Sequence, residues 1–253
     1  MLQNNLIGGM LEMAIKNLNK FMGKPIEGSL EKVLVGLEKE SDKENERGPQ
    51  SEQDKKGYIY VPSEGIYIAK KRAHLGLDWY QTHEVLHKER LRMPTIPEFI
   101  SFLNYLRADY QSINRKEANQ ILDDILKLGE WRGNWLDADF KVIKGKIHIN
   151  YNHQTVNGKL TPKDSEPLES CLMEDGWADI FNPNRQGLPT KQLGDSYQQG
   201  KNSYYWKPLS DNNSVAGFFV DSGGADLGCN WDPSSSGSAL GVFTCAEGTT
   251  QKK

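Results

Sequence analysis

The amino-acid sequence predicts an α+β protein. Apolar residues recur at helical spacing mainly before residue 128, whereas short β-branched and aromatic runs bounded by turn residues dominate after residue 140. A strand-like pair at 58–69 places β-structure ahead of the helices as well.

Taken in order, Leu11, Ala14, Ile15, Leu18 and Met22 form one helical stripe, and Leu30, Val33, Leu34 and Leu37 form another after the Pro25 and Gly28 break. Residues 1–37 therefore read as a helical hairpin. Each stripe is narrow and must pack on the rest of the protein or on a second copy, so a docked extension and a homo-oligomerisation element both stand. Residues 38–57 are charged, with Gly48 and Pro49 and no other apolar residue up to Lys56, and are expected to be a linker.

Residues 58–253 then form the expected main domain. Tyr58 to Val61 and Ile66 to Ala69 flank Pro62-Ser63-Glu64 as a strand pair. Asp78 is placed to cap a helix carrying Trp79 and Leu86, with His83 and His87 on its solvated shoulder. Thr95, followed by Pro97-Glu98, opens a second helix through Phe99, Phe102, Leu103 and Leu106. A third is expected around Gln120 to Leu128. Lys141 to Tyr151 reads as a hairpin turning at Lys144-Gly145, and Asn157-Gly158 is a type I′ turn signal.

Charge and composition narrow the function classes. The 31 basic and 34 acidic side chains give a net charge of −3, without the basic field that releases counterions from a polyanion, so no nucleic-acid partner is expected. No apolar run approaches 18 residues, and the N-terminus lacks a basic region followed by an uninterrupted apolar one; neither a membrane span nor a signal peptide is expected. Cys171, Cys229 and Cys245 are odd in number and widely spaced, which fits neither a disulfide framework nor a CxxC knuckle. A Cys229–Cys245 bridge is geometrically conceivable and stays open.

His83-Glu84-Val85-Leu86-His87 matches HExxH, in which two imidazoles four apart on a helix bind zinc and the glutamate activates water. Lys88, Glu89 and Arg90 follow it, where zinc peptidases place uncharged and apolar residues. A solvated helix shoulder is therefore the favoured reading, and a zinc hydrolase using His83, Glu84 and His87 is the rival. Asp137 and Asp139 lie two apart on a strand-like run and point to one face; a turn or cap role is favoured over metal binding. There is no Gly-x-Ser-x-Gly context for a serine nucleophile and no phosphate-cradling glycine loop.

Asp221 to Ser238 is nearly all Gly, Ser, Asn and Asp, a tail by composition alone. Its pattern says otherwise. Val215, Phe218 and Val220 lead in, Ala225, Leu227 and Cys229 alternate within, and Leu240, Val242 and Phe243 close it, so the apolar members face a core while Asp226, Gly228 and Asn230 face solvent together.

This interleaving, with Ser214-Val-Ala-Gly-Phe218, Ala225-x-Leu-x-Cys229 and Leu240-Gly-Val-Phe243, resembles the variable proteins of diversity-generating retroelements. Gly65 to Arg72, Pro94 to Phe99, Trp135 to Phe140 and Ser165 to Glu174 are similar to the archaeal and archaeal-virus members, and the likeness runs from about Tyr58 to Gly248. The resemblance implies a C-type lectin-like fold of the branch shared with formylglycine-generating enzymes, and a ligand-binding protein, not an enzyme. Its C-terminal variable region, about 214–243, would be rewritten by adenine-directed mutagenesis. The positions implied as the variable surface are Phe219, Asp221, Gly223, Gly224, Asp226, Gly228, Asn230, Trp231, Asp232, Ser235, Gly237 and Ala239. Phe219, with Trp231 nearby, is the main aromatic anchor expected there. All but Trp231 are reachable from asparagine codons by changes at the first two bases, so Trp231 belongs to the scaffold or to another template codon. The calcium-ligating motifs of sugar-binding lectins and the reactive cysteine pair of the enzymes are missing. No cofactor is expected, the ligand is a protein or other surface molecule, and display on a virion or cell surface stays open.

Overall fold

The computed structural model describes residues 56–248; the helical element at 1–37 and all but the last two residues of the linker at 38–57 lie outside the described residues. The described part is mixed α+β, mostly sheet with three helices. It opens with β1 (Tyr58–Val61) and β2 (Ile66–Ala69), an antiparallel pair onto which β11 (Cys245–Glu247) folds back. The far end of the domain is thus stitched to its beginning, Cys245 opposite Ile68.

Helices follow. α1 (Trp79–Lys88) starts as expected at Asp78, whose carboxylate accepts the Gln81 N–H at 2.7 Å while the Gln81 side chain accepts the Asp78 N–H at 3.2 Å. α2 (Ile96–Arg107) buries Ile96, Phe99, Ile100, Phe102, Leu103 and Leu106, the stripe its spacing predicts. α3 (Asp109–Leu126) begins some ten residues before the expected start near Gln120. Its first turns are exposed, Ile113 among them, so they carry no apolar period, and Asn114 breaks the helical backbone by accepting the Glu117 N–H on its side chain.

The large sheet holds β3 (Arg132–Ile143), β4 (Lys146–Val156), β5 (Lys159–Pro167), β6 (Gly176–Ala178), β7 (Ser203–Trp206), β8 (Ser214–Val220) and β9 (Ala225–Trp231) in the order β5-β4-β3-β8-β9-β7-β6, with β10 (Leu240–Gly241) pairing beside β3. Both expected tight turns are present: Lys144 and Gly145 (φ 51° and 77°) join β3 to β4, and Asn157 and Gly158 (φ 52° and 75°) join β4 to β5. Positive φ at both central positions is what a type I′ hairpin requires.

Every residue of β8 is buried. Ala216, Phe218 and Val220 face the larger core with α2 and α3, where Phe99 meets Phe218 at 5.4 Å between ring centroids; Val215 and Phe219 face a smaller one with Trp79, Leu86, Met93, Trp135, Leu240 and Val242. The sheet therefore separates two apolar layers at its centre. Cys229 and Cys245 are both buried in the larger core as free thiols, with no bridge between them, and Cys171 is also free. Among the described residues, no helix is long and apolar enough to cross a membrane.

Candidate functional site

The polar stretch after β8 is tightly tied. At its first turn the Asp221 carboxylate accepts the N–H groups of Gly223 (2.6 Å) and Gly224 (3.2 Å), and the Asp221 N–H donates to the Gly224 carbonyl. β9 then runs with Ala225, Leu227 and Cys229 fully buried and Asp226 and Asn230 partly exposed, as the alternation requires. At its end the Asp232 carboxylate accepts both the N–H and the hydroxyl of Ser234 at 2.8 Å, and the carbonyl of buried Pro233 accepts the Trp79 N–H from α1.

Asp221, Asp226, Asn230, Trp231 and Asp232 come together with Phe219, Val220, Trp131 and Trp206 around a depression of about 400 Å³. Its floor is aromatic. Phe219 stacks on Trp231 with centroids 4.0 Å apart and lies near parallel to Trp131 at 6.1 Å. Gly133 and Gly217 make room for that ring, since a Cβ on either would fall 2.5 or 2.4 Å from it.

Phe219 is consequently 2% exposed and is no outward anchor, contrary to expectation; the exposed rings are Trp131 and Trp206, each 37% exposed. Gly228 also departs from the expected solvent-facing set, because a Cβ there would meet the Trp231 indole at 2.6 Å. Gly224 is buried, with Trp177 2.7 Å from where its Cβ would be, while Gly223 is exposed. Ser235, Gly237 and Ala239 do not line this depression. Ala239 lines a neighbouring cleft with Lys70, Arg72 and Arg132, and Trp131 stands between the two hollows as part of both linings. Neither Trp131 nor Trp206 carried a sequence signal: one precedes β3 and the other ends β7, and only the strand order sets them beside β9.

The depression is acidic, three carboxylates with no Lys or Arg in its lining. Burial, and then the charge of Asp221, push the Asp226 carboxyl up to about 6. Asp232 is held below the usual range by the N–H and hydroxyl of Ser234.

The HExxH residues are not arranged as that motif requires. His87 and Glu84 are exposed, and Glu84 pairs with Lys88 at 2.7 Å. His83 is not on a solvated shoulder: it is 5% exposed, and its helix face packs Trp79, Thr82, His83 and Leu86 inward. It meets Asp137 of β3 and His153 of β4. Asp137 has neither a turn nor a cap role; it is fully buried, its Oδ2 accepting the His153 N–H at 3.0 Å and its Oδ1 lying 2.5 Å from His153 Nδ1 and 3.6 Å from His83 Nε2. The one-face placement of Asp137 and Asp139 holds, for Asp139 Oδ1 lies 3.8 Å from His153 Nε2. Trp79 stands nearly perpendicular to both imidazoles, 4.3 and 5.0 Å between centroids.

Burial pushes His83 down to about 4 against the pull of Asp137. Burial alone would raise Asp137, but the His153 hydrogen bonds and the two imidazoles hold it below the usual carboxylate range. The sequence hid His153. The β3–β4 ladder ends at Asp139 and Asn150, and Asn152 then adopts a left-handed backbone (φ 55°) just before the N–H that reaches Asp137.

Comparison with known proteins returns no matching family model, no matching curated protein and no matching solved structure.

Proposed function

We propose that this chain is a ligand-binding protein with a C-type lectin-like domain, and that its surface around β9 is diversified by adenine-directed retroelement mutagenesis. The observation that carries the reading is the division of labour along β9: Ala225, Leu227 and Cys229 are fully buried, while the intervening Asp226 and Asn230 reach the depression. A fixed core beneath outward, replaceable side chains lets specificity change with the fold kept, since surface substitutions usually shift stability by only about 0.5 kcal/mol either way.

The ligand is read as a protein or other surface molecule. The rings of Trp131, Trp206 and Trp231, with three carboxylates and no basic residue, suit one that presents a cationic group, which gains both from the charge and from the ring faces. The rival hydrolase gains no support, because His87 and Glu84 are exposed and do not join His83.

The test is the nucleotide sequence around the gene. A near-copy of its 3′ end differing at template adenines, beside a reverse transcriptase gene, is the expected finding. Absence of both from the flanking few kilobases would overturn the diversification reading.

A further inference from the structure

We propose that His83, Asp137 and His153 form a structural binding site for one divalent transition-metal ion, with zinc favoured by the donor set. The inference is independent of the ligand-binding surface. Two imidazoles and one carboxylate are a donor set that zinc takes, and hard cations such as calcium and magnesium prefer oxygen alone. Among the described residues, these three are the group of His, Cys, Asp and Glu side chains whose ligand atoms all lie within 4.8 Å of one another.

Three features point to an ion and away from a plain hydrogen-bond network. His83 Nε2 is buried with no hydrogen-bond partner among the described residues, although it faces Asp137 Oδ1. Their separation of 3.6 Å is too long for a hydrogen bond, yet close to the ~3.3 Å edge of a tetrahedron whose ligands stand ~2.0–2.1 Å from zinc. Secondly, the Asp137 carboxylate is 0% exposed and its ion-pair partners are these two histidines, with no Lys or Arg. A buried charge of that kind is ordinarily paired or coordinated to a metal. Thirdly, Asp139 lies near the other nitrogen of His153. An imidazole that gives Nδ1 to a metal keeps its proton on Nε2, and a carboxylate on that side is the usual partner that fixes the ring.

His153 Nδ1 and Asp137 Oδ1, at 2.5 Å, must part by about 0.8 Å to share an ion, a small turn of the imidazole. All three side chains are at most 4% exposed, so the site is closed to substrate and its role is to tie α1 to β3 and β4.

The experiment uses the full-length chain. Purified protein is analysed for metal content, stripped with a chelator, checked for retained fold by circular dichroism, and titrated with Zn²⁺ and Co²⁺. One equivalent of zinc, a rise in Tm on adding it back, and the visible d–d absorption of Co²⁺ made four-coordinate by these three side chains and one water are expected. His83→Gln and His153→Gln should abolish stoichiometric binding, Asp139→Asn should weaken it roughly 10–100-fold, and His87→Gln should leave it unchanged. The Co²⁺ spectrum is read on the unaltered protein, so misfolding of a variant does not remove the test. Folded, stripped protein that takes up neither ion overturns the proposal. So does loss of binding in His87→Gln with binding kept in His153→Gln, which would return the metal to the HExxH pair.

Discussion

Phe219 keeps its place because two glycines leave room for it. The residues opposite and beside it, Gly133 and Gly217, let the ring lie flat under Trp231 in the smaller core. Its truncation removes a buried aromatic ring, so Phe219→Ala is expected to cost about 3–5 kcal/mol in denaturant unfolding. Asp226 behaves differently. Its carboxyl titrates at about 6 in the fold and near 3.8 in the unfolded chain. Between those values the folded protein holds a proton the unfolded chain has released, so this group lowers stability as pH rises from about 4 to about 6, and the cost persists above. Asp226→Asn should therefore stabilise the protein at neutral pH, by about 1 kcal/mol once its partial exposure is discounted, and leave it unchanged near pH 3.5. Unfolding curves at the two pH values check the sign. Both residues were named from the sequence as members of one surface; side-chain packing, which alternation does not encode, divides them.

Among the elements, those with strong local chemistry were legible. Asp78 with Gln81 encodes the start of α1 through a reciprocal pair of hydrogen bonds, and Asp78→Ala is expected to lose about 1 kcal/mol, measured as a shift in the denaturation midpoint. Lys144-Gly145 and Asn157-Gly158 encode the two hairpins because few residue pairs accept left-handed backbone at both turn positions. The beginning of α3 was not legible. Its first turns are solvated, and a helix without an apolar stripe leaves no period to read. The helix carrying HExxH was legible too, but its orientation was not. The sequence puts His83 and His87 four apart, while packing buries one and exposes the other.

For the whole molecule, the decisive fact is the strand order. Placing β8 between β3 and β9 makes one strand the centre of two cores, and it carries Trp131, Trp206 and β9 to the same hollow. A combined library at Asp226, Asn230 and Ser235 should keep a cooperative transition with a midpoint close to the parent, whereas polar replacement of Ala225, Leu227 and Cys229 should abolish it. Asp221 and Asp232 should tolerate less, since their carboxylates hold the turns. A library whose outward members unfold as readily as its inward ones would overturn the division of β9 into scaffold and surface. The sequence by itself determined the α+β class, the starts of α1 and α2, the tight turns and, Gly228 apart, the inward and outward sides of β9, because each rests on residues a few positions apart. Tertiary structure alone decided that His83 meets Asp137 and His153, that Phe219 is buried, and that Trp131 and Trp206 border the depression. Those outcomes join side chains tens of residues apart, and only the packing of the sheet and helices brings them within contact distance.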